Sequence, residues 1–116
     1  MIVLLDTNFM AACIEHRVDV VKQLEHHFES VSFLVVKRVL EEAEFLPLRQ
    51  QKRIQAFLKG VPHEVIDAQG HTDDVLLKEA EKRKAAVATL DLGLKKRLKR
   101  RCIPIISLAH SRVVIS

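Results

Sequence analysis

Short runs of apolar residues recur along the chain, and longer stretches of mixed character separate them. Such runs, rich in Val, Ile and Leu and bounded by polar residues, are typical of strands that are buried on both faces of a sheet. Five runs predict strands, at residues 2–5, 31–36, 85–89, 103–106 and 113–115. A sixth, weaker strand is expected at residues 63–66.

The stretches between these runs carry apolar residues at intervals of three and four, which is the spacing of an amphipathic helix. One helix is expected directly after the first strand, and a second runs from Val18 to near Glu29. Further helices are predicted around Val39, around Ile54 as far as Gly60, after Thr72 and from near Asp91. Pro47 either ends the helix around Val39 or begins the next one.

Strands that alternate with helices predict an α/β fold, because right-handed crossovers between them build a mainly parallel sheet. We expect a three-layer α/β/α sandwich with a mainly parallel central sheet. A chain of 116 residues can bury one such core but not two, so residues 1–116 are expected to form a single domain. Ligands of such folds bind outside the carboxyl ends of the strands, which makes the residues that follow the strands the first candidates for function.

The composition favours a soluble protein of the cytoplasm with no membrane association. Apolar residues make up 48% of the chain and charged residues 29%, and no segment is apolar over a length that spans a bilayer. The N-terminus lacks the basic stretch and the cleavage site of a signal peptide. Cys13 and Cys102 match no metal-ligand spacing and are predicted to be buried, reduced thiols.

A cluster of six basic residues lies within seven positions, although the net charge of the whole chain is only +4. The cluster consists of Lys95, Lys96, Arg97, Lys99, Arg100 and Arg101. A basic run in a small protein favours a polyanionic partner. The alternative interpretation is a solvated helix face that binds nothing.

Six acidic residues stand at or near the predicted strand ends and helix starts. They are Asp6, Glu41, Glu42, Asp73, Asp74 and Asp91. Each one alone is explained as a helix N-cap or as a charge that complements the helix dipole. As a group, however, carboxylates at one rim of the sheet repel one another. A hard divalent cation with oxygen ligands, Mg²⁺ or Mn²⁺, would relieve that repulsion.

Three segments, LLDTNFM, VLEEAEFL and DDVLLKEAEKRKAAVATLD, resemble in this order the PIN-domain ribonuclease family, including its archaeal members. The resemblance covers nearly the whole chain. It implies four residues that are both catalytic and metal ligands: Asp6, Glu42, Asp73 and Asp91. The family's V-L-x-E pattern selects Glu42 over Glu41, and its spacing of eighteen residues before the fourth acid selects Asp73 over Asp74. Glu41 and Asp74 remain alternatives to their neighbours.

The same resemblance implies supporting roles for residues beside these acids. Thr7 and Asn8 complete the family's D-T-N motif, and Thr89 opens its T-x-D signature. Thr89 is expected to bind or orient the metal site, and Asn8 to hydrogen-bond a neighbouring carboxylate or the substrate. We expect Thr7 or Asn8 to cap the first helix, which would leave the Asp6 carboxylate free for a cation.

Membership of this family would imply a metal-dependent endoribonuclease that hydrolyses RNA phosphodiester bonds with one or two Mg²⁺ (or Mn²⁺) ions. Two roles are compatible with the resemblance: a VapC-like toxin of a toxin–antitoxin pair and an enzyme of ribosomal-RNA processing. The implied partners are RNA, a protein antitoxin in the first case, and a second copy of the chain, because many relatives form homodimers. The basic cluster at residues 95–101 would bind RNA phosphates beside the site.

Gly93 departs from the family pattern, because many members carry a further acid two residues after the fourth one. A second metal ion would therefore be held more weakly. This departure leaves room for an alternative function, a catalytically silent PIN-like RNA-binding or ribosome-assembly module.

Overall fold

The apolar runs of the sequence form one six-stranded sheet in the computed structural model, which describes residues 1–116. The strands are β1 (Ile2–Leu5), β2 (Ser32–Val36), β3 (Glu64–Ile66), β4 (Ala86–Ala88), β5 (Ile105–Ala109) and β6 (Arg112–Ile115). Their order across the sheet is β3-β2-β1-β4-β5-β6. The first five strands pair in parallel and β6 pairs antiparallel with β5, so the mainly parallel sheet is confirmed.

Strands β1 and β4 lie in the centre of the sheet and are the most completely buried. Val3, Leu4, Leu5 and Val87 have no exposed surface, as expected for strands with helices on both sides. At the edge, β3 has only three residues and exposes Val65. Short edge strands of this kind limit unwanted pairing with other chains. The central strands therefore provide the rigid frame of the molecule.

Six helices connect the strands. They are α1 (Thr7–Glu15), α2 (Val20–Glu25), α3 (Lys37–Ala43), α4 (Leu48–Gly60), α5 (Thr72–Arg83) and α6 (Leu92–Arg100). None of them combines the length and the apolar character that a bilayer-spanning helix requires. Pro47 is the N-cap of α4, which decides between its two predicted roles.

Most elements lie within one residue of their predicted bounds, and two elements differ by two residues or more, each for a local reason. The helix predicted from Val18 begins at Val20, because the Asp19 side chain accepts the Lys22 N–H as an N-cap, and it ends at Glu25. The strand predicted from residue 103 begins at Ile105, because Ile103 N–H still bonds the Leu98 carbonyl of α6 and proline 104 has no N–H to donate.

The strand order of the sheet reverses at the boundary between the neighbouring strands β1 and β4. From β1 the chain proceeds outward to β2 and β3, and then it returns to the other side of β1 for β4 and β5. Right-handed crossovers place the helices of these two halves on opposite faces of the sheet. Accordingly, α1 packs against α3 and α4, while α5 packs against α6. Folds with such a reversal bind ligands in a crevice at this point, which here is the edge outside the carboxyl ends of β1 and β4.

Only one of the two cysteines is buried, so the prediction for Cys102 is wrong. Cys13 lies in the core, and its burial raises the pKa of its thiol to about 12. Cys102 is exposed, since it follows α6 in a tight turn with a positive φ of 56°. This turn directs the chain from the helix into β5.

Candidate active site

Asp6 lies at the carboxyl end of β1, next to β4 at the reversal point, and only 7% of its surface is exposed. Its Oδ1 accepts a hydrogen bond from the Thr7 N–H at 2.9 Å, and its Oδ2 accepts one from the Thr89 hydroxyl at 2.8 Å. Asp6 is therefore itself the N-cap of α1, and the expectation that Thr7 or Asn8 would take this role is wrong. One hydrogen bond to each oxygen still leaves lone pairs on the carboxylate.

Thr89 and Asn8 join the ends of β1 and β4. The fully buried Thr89 hydroxyl donates to Asp6 and accepts the Asp91 N–H at 3.1 Å. Asn8 Oδ1 accepts the Leu90 N–H at 3.0 Å. Asn8 thus fixes the main chain between Thr89 and Asp91, whereas the sequence predicted a hydrogen bond from Asn8 to a neighbouring carboxylate or the substrate. Thr89 and Asn8 together fix the position of Asp91 relative to Asp6.

The other three selected acids lie on, or directly before, the helices that follow β2, β3 and β4 at the same edge of the sheet. Glu42 lies on α3, and its Oε1 accepts a hydrogen bond from the Thr72 hydroxyl. Asp73 lies in the first turn of α5 and makes no hydrogen bond. Asp91 is the N-cap of α6, with its Oδ1 accepting the Leu94 N–H at 2.9 Å.

The pKa values show that these carboxylates act on one another. Burial raises the pKa of Asp6, hydrogen bonds from Thr89 and Thr7 oppose that rise, and the charges of Asp73 and Glu42 add to it. Burial also raises the pKa of Asp73, with further contributions from the charges of Asp91 and Glu42, against the opposing charge of Arg97. The four acids therefore occupy one electrostatic environment, although they come from distant parts of the sequence.

The two alternative acids, Glu41 and Asp74, are each paired with an arginine. Asp74 is bound to Arg97 at 2.6 Å, and this hydrogen bond and the guanidinium charge lower the pKa of Asp74. Glu41 lies 3.3 Å from Arg38 on the exposed side of α3. The charges that act on Asp6 are those of the other members of the two pairs, Glu42 and Asp73.

A family model described as a PIN-like domain matches residues 3–111. The chain belongs to the PIN-like domain family. Ribonuclease VapC9 of Archaeoglobus fulgidus is 36% identical to it in an alignment of 106 residues that covers 86% of this chain and 77% of that protein. The solved structure of the PIN domain endonuclease Utp24 superposes with a TM-score of 0.84 at 25% identity, over 99% of this chain and 90% of that chain. The predicted family and fold are thus confirmed.

The donor atoms of this PIN-like site suit a hard divalent cation. Every candidate ligand is an oxygen, and Glu42 Oε2, Asp91 Oδ2 and both oxygens of Asp73 have no hydrogen-bond partner within the chain. As the side chains stand, however, no three acids, histidines or cysteines are grouped closely enough to hold one ion between them. Mutual repulsion of the carboxylates is a sufficient reason for this spacing.

The basic cluster of the PIN-like domain lies on α6 and divides into two sets. The first set already has partners within the chain: Lys95 donates to Ser107 at 2.6 Å, Arg97 to Asp74 at 2.6 Å and Arg101 to Glu81 at 2.7 Å. Lys96, Lys99 and Arg100 are exposed and form no ion pair or hydrogen bond within the chain. Only this second set is immediately available to a polyanion, because the first would have to exchange existing partners.

Gly93 lies close to the Asp91 carboxylate. A Cβ atom at position 93 would lie 3.2 Å from Asp91 Oδ1, which is a tight contact. The absence of a side chain here lets Asp91 cap α6 without interference. A cavity of about 550 Å³ lies at the opposite end of the strands, around Ile2, Ser32 and Glu64, and is not part of this site.

Sequence reasoning missed two residues that contact the acids or the basic cluster. Thr72 marked only a helix start in the sequence, yet its hydroxyl donates a hydrogen bond to Glu42. Ser107 on β5 accepts a hydrogen bond from Lys95. For Thr72 the one available signal was a hydroxyl directly before the two acids that start the helix.

Proposed function

We propose that this chain is a metal-dependent endoribonuclease of the PIN type. The observation that carries the proposal is the shared environment of Asp6, Glu42, Asp73 and Asp91, in which the charges of neighbouring acids help to raise the pKa values of Asp6 and Asp73. Such a concentration of negative charge suits a site that binds cations. The likeness to a protein named as a ribonuclease and to one described as a PIN domain endonuclease supports the same function.

Asp6, Glu42, Asp73 and Asp91 would hold one or two Mg²⁺ or Mn²⁺ ions through their carboxylate oxygens. Bound divalent ions at such sites activate a water molecule as the nucleophile and neutralise charge on the phosphate that is attacked. The protein itself fixes the positions of the groups that would bind the ions. Thr89 orients Asp6 and fixes the amide of Asp91, and Thr72 orients Glu42.

The free basic side chains of α6 would bind the RNA on either side of the cleaved bond. The helix begins directly after Asp91, so Lys96 stands little more than one turn beyond a proposed metal ligand. Lys99 and Arg100 follow one turn further on. Backbone phosphates carry the charge that these side chains attract, and this binding is independent of base sequence.

Both biological roles implied by the family remain part of the proposal. As a toxin, the protein would act in the cytoplasm with a protein antitoxin as its partner. As a processing enzyme, it would cleave precursors of ribosomal RNA. In either role we propose a homodimer of single-domain subunits.

The test is cleavage of structured and single-stranded RNA with Mn²⁺ or Mg²⁺, by the wild type and by Asp6→Asn. We expect cleavage by the wild type and none by the variant, because the substitution removes a central carboxylate but keeps the helix cap. Glu25→Gln, which neutralises an exposed acid of α2 far from the crevice, serves as the matched control and should cleave normally. Equal cleavage by the wild type and Asp6→Asn would rule out this site.

The alternative is a catalytically silent RNA-binding or ribosome-assembly module with the same fold. Gly93 favours it, since the additional acid of many family members is missing. Such a module would bind RNA with a strong salt dependence, but divalent ions would neither promote cleavage nor increase its stability.

A further inference from the structure

A salt bridge links the first turn of α5 to α6 directly beside a proposed metal ligand. Arg97 Nη2 donates to Asp74 Oδ1 at 2.6 Å, a short distance of the kind that charge-assisted hydrogen bonds show. Asp74 follows Asp73 in the chain, and both acids lie in the first turn of α5. The guanidinium of Arg97 is therefore held one residue away from a carboxylate that is proposed to bind a cation.

The charge of the same arginine acts on Asp73 as well. Burial raises the pKa of Asp73 most, the charge of Asp91 adds to this rise, and the charge of Arg97 opposes it. The hydrogen bond of the guanidinium nevertheless goes to Asp74, while both oxygens of Asp73 have no partner within the chain. Two neighbouring carboxylates thus interact with one positive charge, and Asp74 is the one that binds it.

An arginine that paired with Asp73 would obstruct the proposed metal site. A guanidinium keeps its charge at any ordinary pH, and its N–H groups bind the same carboxylate oxygens that a divalent cation requires. Its positive charge would also repel the cation. Stability gives little reason for the bond between Arg97 and Asp74, because these side chains are 40% and 60% exposed and such exposed salt bridges contribute little.

We propose that Asp74 is a positioning residue of the metal site, which binds the Arg97 guanidinium and thereby keeps the neighbouring Asp73 carboxylate open to a divalent cation. The inference rests on the proposed function for the cation. It gives Asp74 a role other than that of a substitute ligand. It also removes Arg97 from the side chains that bind RNA, because a guanidinium bonded to Asp74 is not available to a phosphate.

The first test measures binding of Mn²⁺ by isothermal titration calorimetry without RNA, at about 0.15 M salt to screen charges that are not in contact. We expect Asp74→Asn to weaken binding about fivefold, the factor that one well-formed exposed ion pair between Arg97 and Asp73 supplies. In a protein that also carries Arg97→Gln, the same substitution should change the affinity by no more than about twofold, because only a screened charge is lost.

Glu81→Gln is the matched control. Glu81 accepts a hydrogen bond from Arg101 Nη1 at 2.7 Å, so this pair also joins α5 to the end of α6, and its side chains are similarly exposed. Glu81 lies roughly two helical turns beyond Asp73, so the arginine that its loss would free is not beside a proposed ligand. Glu81→Gln should therefore bind Mn²⁺ as the wild type does.

Unchanged binding by Asp74→Asn would overturn the proposal. An equal loss with and without Arg97 would overturn it too, because the lost carboxylate charge alone would then account for the effect. An equal loss in Glu81→Gln would likewise overturn it, because any broken link between α5 and α6 would then be sufficient.

The second test is the crystal structure of Asp74→Asn without metal, which does not depend on cation binding. The Arg97 guanidinium should lie within about 4 Å of the Asp73 carboxylate, the limit of a salt bridge, and any other position of Arg97 would overturn the proposal. A moved Arg97 in a protein whose wild type binds no Mn²⁺ would support the role of Asp74 and refute the metal site. An unmoved Arg97, with Mn²⁺ binding and RNA cleavage by the wild type, would refute this inference and leave the proposed function intact.

Discussion

At the scale of single residues, the Thr89 hydroxyl is the connection on which the site depends most. It is fully buried and joins Asp6 Oδ2 to the Asp91 amide. Thr89→Val keeps the shape and removes both hydrogen bonds, so we expect a loss of about 1–3 kcal/mol in the free energy of unfolding and a fall in cleavage rate of about 10–100-fold. Denaturant unfolding and single-turnover cleavage measure the two effects.

Thr89→Ser is the control for this prediction, since it retains the hydroxyl. Cleavage by the serine variant should stay near the wild-type rate, even if the lost methyl group lowers stability. The hydroxyl also lowers the pKa of Asp6. The acidic limb of the pH profile of the cleavage rate should therefore move to higher pH in Thr89→Val and not in Thr89→Ser. A valine variant with unchanged rate and profile would show that Thr89 only packs.

Asp6 itself should destabilise the fold at neutral pH in the absence of divalent ions. Its pKa is raised above the ordinary value of 3.8, so the folded protein binds this proton more tightly than the unfolded chain does. Its contribution is therefore most favourable below pH 3.8 and is lost as the pH rises through the folded pKa. Asp6→Asn should then be more stable than the wild type at pH 7, by about 0.5–2 kcal/mol, and the gain should shrink near pH 3.

Urea unfolding at both pH values, with chelator present, measures this difference. Asparagine caps helices as well as aspartate does, so loss of the α1 cap does not mask the effect. A variant less stable than the wild type at pH 7 would mean that hydrogen bonds to Asp6 outweigh its burial and the repulsion from Asp73 and Glu42.

At the scale of elements, RNA binding can be tested by substitutions on helix α6. Lys96, Lys99 and Arg100 are its free basic residues, and their replacement by alanine should weaken binding to single-stranded RNA. The slope of the logarithm of affinity against the logarithm of salt concentration should fall by about 0.7 for each lost phosphate contact. Filter binding between low and moderate salt gives that slope.

The matched control removes three positive charges elsewhere, by alanine at Lys52, Lys59 and Lys82. These lysines are exposed, form no ion pair and lie on α4 and at the end of α5. The control should keep the wild-type slope. Equal reductions in both triple variants would mean that the net charge of the molecule, and not the face of α6, attracts the RNA.

The elements also show how far the sequence could predict the site. Acids that follow parallel strands had to meet at one edge, so the positions of Asp6 and Asp91 followed from the strand pattern alone. The partners of long side chains did not follow, because they depend on contacts between helices. Arg97 turns to Asp74 on α5, while Arg100, three residues later, stays free, and no periodicity distinguishes the two.

At the scale of the whole molecule, the reversal of strand order explains how residues from distant parts of the sequence meet at one edge of the sheet. β1 and β4 are adjacent in space and more than eighty residues apart in sequence, as the Thr89 to Asp6 hydrogen bond shows. Glu42 and Asp73 reach the same crevice from helices on opposite sides of the sheet. The carboxylates that repel one another are therefore fixed to elements that the entire core holds together, and a cation that binds them must stabilise the entire fold.

Divalent ions should accordingly raise the unfolding temperature of the wild type. An ion at about 100 times its dissociation constant adds about 2.7 kcal/mol to the free energy of unfolding, which corresponds to roughly 10 °C for a chain of this size. Differential scanning calorimetry with Mn²⁺, with Mg²⁺ and with chelator measures the shift. Asp6→Asn should show little shift, and Glu25→Gln should show all of it. Equal shifts in Asp6→Asn and the wild type would place the ion elsewhere, and no shift in either, together with salt-dependent RNA binding, would favour the silent module.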